Sequence, residues 1–184
     1  AHSDTIFDVE FSRKNDYLAS CGADKFVKVF NVQTGEFVRA VEGHTHHVLG
    51  VGWQADQKTL ASAGADNVIK VWNFLTGEQK RTIQGYSKQV TCLDFVGDSE
   101  NTISASGDKT VRIHRTSNGQ SVRSFSGGTD FMNAAAVTPD NKVVAAGGHD
   151  SVLRVWQGDN GQNLAVFEPP KPPAETPEGE AEKK

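Results

Sequence analysis

The feature that most constrains the fold of this sequence is a pattern that recurs every 42 residues. Four aspartates, Asp24, Asp66, Asp108 and Asp150, are separated by equal steps of 42 residues. Six residues after each aspartate stands an aromatic residue or a histidine, namely Phe30, Trp72, His114 and Trp156. Internal periods of about 40–45 residues are typical of propeller blades, in which each repeat forms one supersecondary unit. Residues 61–73 are the best-preserved copy of this pattern.

Each copy contains four short segments with the composition of β-strands, separated by turn residues. In the first copy these segments are residues 5–11, 17–21, 26–30 and 36–41. Their spacing leaves no room for helices, so we predict an all-β chain of four four-stranded antiparallel meanders. The third segments are rich in β-branched residues, which predicts a strand covered on both faces. The fourth segments are more polar, as expected for an outer edge.

The period divides the chain into four repeats and a tail. We place the repeats at residues 1–42, 43–84, 85–126 and 127–167, and the tail at residues 168–184. The tail is rich in proline and glutamate, so we predict that it is disordered and acts as a spacer or solubilising segment rather than as a docking motif. Because the chain starts at Ala1 and its single methionine is Met132, we expect it to be a piece of a longer protein.

Composition argues against several classes of partner. The net charge is −4 and the isoelectric point about 5.9, so no basic surface for nucleic acid or an anionic membrane is expected. Cys21 and Cys92 occupy different positions within apolar segments. We interpret them as two buried free thiols, which favours a reducing compartment such as the cytoplasm.

The four copies resemble WD40 repeats, and the resemblance extends over residues 1–167. Gly43-His44 matches the Gly-His pair that precedes the first strand in this family. Trp72-Asn73 matches the Trp-Asp pair that closes the third strand, with Asn in place of Asp, and Ala1-His2 lies at the offset of Gly43-His44. The resemblance implies WD40-type β-propeller blades. Because this family usually builds about seven blades, we expect an open half-propeller or a 4+4 dimeric ring.

The resemblance also implies a buried polar tetrad of His, Ser, Asp and Trp in each blade. The second blade has all four members, His44, Ser62, Asp66 and Trp72. The other blades retain part of the set: His2, Ser20 and Asp24 in the first; Tyr86, Ser104, Asp108 and His114 in the third; Asp150 and Trp156 in the fourth. We expect these residues to be structural and the second blade to be the best ordered.

Two local clusters invite chemical interpretations that we set aside. Ser, His and Asp together are the side chains of a hydrolase triad, but here they recur with the repeat, whereas an active site normally occurs once. Residues 44–47 contain three histidines, yet His46 and His47 are sequence neighbours and no carboxylate or cysteine is nearby. We therefore predict no catalytic residue, no metal and no cofactor.

Residues that do not repeat are the better candidates for a binding face. In the family, partners often dock on the loop before the first strand and the turn before the third. The candidate protein-binding residues at these offsets are Asp4, His46, His47, Lys88, Gln89, Asp130, Phe131 and His149. Phe131 is either a binding hot spot or a residue that packs at the base of its own loop. We interpret the repeated Lys28, Lys70, Arg112 and Arg154 as surface residues with packed stems and solvated charges.

These features predict a non-catalytic scaffold for protein–protein interaction. One alternative is a docking or assembly module of a larger protein or enzyme whose catalytic domain lies upstream, and another is a self-associating structural propeller fragment. The expected partners are other proteins, together with either missing blades of the same parent chain or a second copy of the chain. Neither nucleic acid nor a membrane is expected as a partner.

Overall fold

The structure is a computed structural model that describes residues 1–170. Sixteen strands and no helix occur in this described part of the chain, so no helix there could cross a membrane. The predicted disorder of the tail concerns mainly residues 171–184, which lie outside the described residues.

The sixteen strands form four separate four-stranded antiparallel sheets, which we call blades 1 to 4. Blade 1 contains β1 (Ile6–Phe11), β2 (Tyr17–Gly22), β3 (Phe26–Asn31) and β4 (Phe37–Glu42). Blade 2 contains β5 (Val48–Trp53), β6 (Thr59–Gly64), β7 (Ile69–Asn73) and β8 (Gln79–Ile83). Blade 3 contains β9 (Val90–Phe95), β10 (Asn101–Ser106), β11 (Val111–Arg115) and β12 (Ser121–Phe125), and blade 4 contains β13 (Met132–Val137), β14 (Val143–Gly148), β15 (Leu153–Gln157) and β16 (Asn163–Phe167). Strand order follows the sequence in every sheet, so the predicted all-β meanders are confirmed.

The turn between the second and third strands has the same shape in every blade. The residue after the repeated aspartate adopts a left-handed backbone conformation at Lys25, Asn67, Lys109 and Ser151, with φ between 59° and 73°. The aspartate side chain caps this turn in blades 1, 3 and 4, where its Oδ1 atom accepts the backbone N–H two residues further on, at Phe26, Thr110 and Val152. These three aspartates are thereby held where one strand ends and the next begins.

The blades pack face to face in sequence order. Val27 and Val29 of blade 1 meet Val51, Trp53 and Trp72 of blade 2 in one buried cluster. Equivalent clusters join blade 2 to blade 3 and blade 3 to blade 4. We call the side of a blade that meets the following blade its forward face, and the opposite side its backward face.

The ring of blades is not closed. Strand packing joins blade 1 to blade 2, blade 2 to blade 3 and blade 3 to blade 4, but within residues 1–170 it does not join blade 4 to blade 1. The chain is therefore an open half-propeller. The forward face of blade 4 and the backward face of blade 1 are left uncovered.

The second strands, rather than the third, are the most completely buried. Every residue of β6 is buried, whereas burial alternates along β3. The prediction that the third strands are covered on both faces is thus wrong for part of their length. Small residues such as Ala61 and Ala63 allow the neighbouring blade to approach the second strand closely, whereas Lys28 on the third strand is only half-buried.

Two arginines of the outer strands reach forward to the next blade. Arg39 of β4 donates from Nη1 to the Thr76 carbonyl (3.1 Å) and from Nη2 to the Leu75 carbonyl (3.0 Å). Arg81 of β8 donates to the Ser117 carbonyl of blade 3 at 2.9 Å. We call these two residues the forward arginines. Blade 4 has Ala165 at the equivalent position.

Candidate functional site

The buried polar tetrad of blade 2 forms a continuous chain of hydrogen bonds. His44 Nδ1 lies 2.9 Å from Asp66 Oδ1, and His44 Nε2 lies 2.8 Å from Ser62 Oγ. Trp72 Nε1 donates to the same Ser62 oxygen at 2.8 Å. Because the Asp66 carboxylate can only accept, the proton of His44 is on Nδ1, and Nε2 accepts from the Ser62 hydroxyl. Every member then has a consistent donor or acceptor role.

Burial keeps the His44 ring neutral. Desolvation lowers the pKa of His44, and it outweighs the hydrogen bond and the charge of Asp66, both of which raise this pKa. The neutral ring is the form that can accept from Ser62 while it donates to Asp66. Asp66 also accepts the backbone N–H of Thr45 at 2.9 Å, so the carboxylate anchors the loop that carries the histidine.

Blade 1 retains this chain without its last link. His2 contacts Asp24 at 2.7 Å and Ser20 at 2.8 Å, but Phe30 has no N–H to donate to the serine. Asp24 also accepts from Lys28 Nζ at 2.9 Å. Desolvation raises the pKa of Asp24, yet the hydrogen bonds from His2, Lys28 and two backbone N–H groups together hold this pKa below its ordinary value.

Blade 3 arranges the same positions differently. The Tyr86 hydroxyl lies 2.7 Å from Ser104 Oγ and 3.1 Å from His114 Nδ1. Asp108 bonds instead to Arg112 at 2.8 Å, and the Arg112 guanidinium lies over the Tyr86 ring at 4.5 Å. Burial, and secondarily the Arg112 charge, lower the pKa of His114 to about 4. The Tyr86 hydroxyl therefore does not bond to Asp108. The predicted group of four is corrected to a group of three, Tyr86, Ser104 and His114, with Asp108 paired to Arg112.

In blade 4 the aspartate is held by a cation and a threonine. Asp150 accepts from Arg154 Nη1 at 2.7 Å and from the backbone and hydroxyl of Thr129 at 3.1 and 3.0 Å. Desolvation raises the pKa of Asp150. These bonds, together with one from the Val152 N–H, lower the pKa by more than desolvation raises it, so that it is about 2. Trp156, the other expected member, is buried in the cluster between blades 3 and 4.

Three of the four repeated cations are not solvated surface charges, contrary to our expectation. Lys28, Arg112 and Arg154 pair with the turn aspartate four residues earlier at 2.9, 2.8 and 2.7 Å. The Arg154 side chain is only 7% exposed. The turn brings the two side chains to the same end of the hairpin, which is why they meet. Lys70 differs, because its Nζ bonds to Gln79 at 2.8 Å rather than to Asp66.

The candidate binding face is built on a backbone contact that all four blades share. The turn before the third strand donates an N–H to the carbonyl of the loop before the first strand. The pairs are Ala23 to Thr5, Ala65 to His47, Gly107 to Gln89 and His149 to Phe131, at 2.8–2.9 Å. We call the surface formed by these loops and turns the loop face. The structure thus brings together the loop and turn offsets within each blade.

Most candidate residues of the loop face are exposed, and several bond to their own loop. Asp4 and Asp130 each accept the following backbone N–H, at 2.7 and 2.8 Å. His46 accepts the His47 N–H at 2.8 Å, and the two imidazole rings lie 4.4 Å apart. Lys88 is exposed and Gln89 half-buried.

Phe131 is the most distinctive residue of the loop face. Its ring stacks on His149 with centroids 5.3 Å apart and lies directly on Gly107 of blade 3, where a Cβ atom would collide with it. The residue is half-buried, so it packs between two blades and still presents an edge to solvent. The sequence analysis did not name Phe7 of blade 1 as a candidate binding residue. In the structure it is 45% exposed and its ring lies 5.8 Å from His47. A non-repeating aromatic was the signal that could have found it.

Three carboxylates on the first strands form a second feature that was missed. Burial raises the pKa of Asp8, of Glu10 and of Asp94. For Glu10 the charges of Asp94 and Asp8 add to this effect, and its pKa is about 8. Asp8 accepts the Val51 N–H of blade 2 at 3.0 Å. Acidic residues where blade 2 has Gly50 and Gly52 were the available signal.

The remaining side chains offer little for metal or thiol chemistry. Within residues 1–170 no group of His, Cys, Asp and Glu is arranged to hold a metal ion. Cys21 and Cys92 are free thiols, and burial raises the pKa of both. The loop histidines contact each other, and His44 is already engaged with Asp66.

One similar protein of known description matches a short part of the chain. A segment of 53 residues is 40% identical to the nuclear distribution protein PAC1-2 of Uncinocarpus reesii (strain UAMH 1704). The match covers 29% of this chain and 12% of that protein, so the chain spans only a small part of its relative.

The sequence profile described as WD domain, G-beta repeat matches four successive segments, residues 1–31, 35–73, 77–115 and 119–157. Together they cover most of the chain and contain a large part of each of the four blades. The resemblance noted in the sequence is confirmed by this match and by the four antiparallel sheets. The chain belongs to the WD40 repeat family.

Proposed function

We propose that the chain is a non-catalytic platform for protein–protein interaction. The observation that carries this proposal is the loop face, where one backbone contact recurs in four blades while the side chains above it differ. A rigid, repeated backbone with variable side chains suits recognition, because the scaffold holds the contact residues in place. Membership of the WD40 family supports the same function.

The Ser-His-Asp contacts fit a structural role better than a catalytic one. The side chains of Ser62 and Ser104 are fully buried, and Ser20 is 4% exposed. A serine nucleophile must reach the carbonyl carbon of its substrate, which these hydroxyls cannot do. We therefore propose that no hydrolysis depends on them, so Ser62→Ala should leave any background ester hydrolysis by the purified protein unchanged.

The chemistry of the loop face favours a partner with an apolar or aromatic side chain. Phe131 and His149 form a stacked pair at the junction of blades 3 and 4, and each has one acidic neighbour in the sequence, Asp130 and Asp150. Stacked aromatic rings supply contact area with little loss of conformational entropy on binding. We propose this pair as the centre of the binding surface.

A selection from a randomised peptide library tests the loop face directly. Peptides that bind the chain should lose most of their affinity for Phe131→Ala and His149→Ala variants. Leu75→Ala is the matched control, because Leu75 is 56% exposed and lies on the β7–β8 turn rather than on the loop face. Binding that is equally strong for all three variants would contradict the proposal.

The uncovered end blades support a second candidate, a module that assembles with other blades. They would be covered either by missing blades of the same parent chain or by a second copy of the chain. In the first case the chain is a docking or assembly module of a larger protein, which could be an enzyme whose catalytic domain lies upstream. In the second case the chain is a self-associating propeller fragment. The two free thiols, of which Cys21 is buried and Cys92 is half-buried rather than buried as expected, fit a cytoplasmic location for any of these forms.

A further inference from the structure

The backward face of blade 1 exposes residues whose counterparts are buried in the next blade. Val9 and Phe11 are 56% and 54% exposed. The residues 42 positions later, Val51 and Trp53, are 1% and 5% exposed because blade 1 covers them. The positions and the apolar character are the same, so only the covering blade is missing.

The forward face of blade 4 shows the converse. Leu153 and Phe167 are 46% and 57% exposed, whereas Ile69 and Ile83, their counterparts in blade 2, are 0% and 2% exposed. Other residues of this face are uncharged and include Ala134, Ala136, Ala145, Gly147, Val155 and Ala165. Several of these residues line a shallow groove of about 170 Å³.

The two uncovered faces are the two halves of an interface that the chain already forms three times. In each internal junction a forward face of mainly small and β-branched residues meets a backward face with larger side chains. Blade 4 offers the first type of face. Blade 1 offers the second, with Phe11 and the Phe30–Phe37 pair, whose ring centroids lie 5.8 Å apart. Blade 4 differs from the internal junctions in one respect, because Ala165 stands where blades 1 and 2 have the forward arginines.

We propose that two copies of the chain bind head to tail, with blade 1 of each copy on blade 4 of the other. The twofold axis makes both contacts identical and closes a ring of eight blades, which lies within the range of known propellers. A second copy is the occupant because the chain itself carries both halves of the interface. This inference concerns the end faces and does not depend on the loop face.

Measurement of the mass in solution by size exclusion with light scattering tests the ring. The chain should show double its mass of 19.9 kDa over a range of protein concentrations. Phe11→Asp and Leu153→Asp should each reduce it to a monomer. Leu75→Asp is the control, because Leu75 is equally exposed but lies outside both end faces, and this variant should stay dimeric. A monomer at every concentration overturns the proposal and leaves further blades of a longer chain as the remaining cover.

Mixing the two disrupted variants tests the head-to-tail arrangement. Phe11→Asp keeps an intact blade 4 face and Leu153→Asp an intact blade 1 face, so an equimolar mixture should form a dimer although neither variant does so alone. If either variant dimerises alone, the contact joins like faces and the proposed arrangement is wrong. Circular dichroism establishes that both variants keep their sheets, and Phe167→Asp replaces Leu153→Asp if the latter does not fold. Peptide binding at the loop face is unaffected by either outcome.

Discussion

Replacing Ser62 by alanine should destabilise blade 2 more than any other change of one hydroxyl. Ser62 Oγ serves both His44 Nε2 and Trp72 Nε1, each at 2.8 Å. The two partners are buried, with exposures of 5% and 2%, so water cannot replace the lost oxygen. The substitution leaves both nitrogens without a hydrogen-bond partner.

The size of the effect follows from these two unpartnered groups. A buried polar group without a partner costs about 1–3 kcal/mol, so two of them lower the free energy of unfolding by about 4 kcal/mol. For a chain of this length that corresponds to a fall in melting temperature of roughly 12 °C. Ser20→Ala in blade 1 leaves only His2 Nε2 unpartnered, because Phe30 donates nothing, and it should cost about 2 kcal/mol.

Urea unfolding followed by circular dichroism measures the difference, at one protein concentration so that association does not change the reference. A double-mutant cycle adds Trp72→Phe to Ser62→Ala. Because the indole N–H is already unpartnered in the alanine background, Trp72→Phe should cost about 1–2 kcal/mol less there than in the original chain. Equal losses for Ser62→Ala and Ser20→Ala, or additivity in the cycle, would refute the hydrogen-bond chain as the source of stability.

Three further outcomes follow from the electrostatics and from the contacts between blades. Burial of Glu10 beside Asp94 and Asp8 raises its pKa from 4.5 to about 8, so the folded chain loses stability as the pH rises through this interval. Glu10→Gln should unfold at higher urea than the original chain at pH 8 and at the same urea at pH 4; a gain independent of pH would contradict the assignment. The pKa of His114 falls from 6.5 to about 4, so protonation in the unfolded state lowers stability as the pH falls through that interval, and His114→Phe should flatten this part of the pH profile. Arg39→Ala should lower the free energy of unfolding by about 1 kcal/mol through loss of its two carbonyl contacts, whereas Lys142→Ala, which removes a solvent-exposed ion pair, should change it little.

The repeat made the fold predictable, and local substitutions limited what could be predicted of the polar networks. The period placed all sixteen strands, because each blade needs the same alternation of apolar residues and turns. The absence of Asp108 from the hydroxyl network of blade 3 was missed, because it depends on Tyr86 standing where blade 2 has His44. Tyrosine carries its only polar atom at the end of the ring, so it reaches Ser104 and His114 and offers no donor to the turn.

Contacts between blades were the least accessible from the sequence. Arg39 meets carbonyls 36 and 37 residues away in the chain, and nothing in the local pattern of β4 distinguishes this arginine from a solvated one. The position of Phe131 on Gly107 also depends on how two blades sit together. Such contacts follow from the angle between neighbouring sheets, which the repeat length does not specify.

The forward arginines imply an order in which the blades of the half-propeller become stable during synthesis. Since Arg39 and Arg81 bond to turns that are synthesised later, the outer strands of blades 1 and 2 complete their contacts only after the following blade has left the ribosome. Blade 4 has Ala165 at this position, so its outer strand has no arginine that could form such a contact. Nascent chains of increasing length should therefore become protease-resistant in steps, each about one blade behind the end of synthesis.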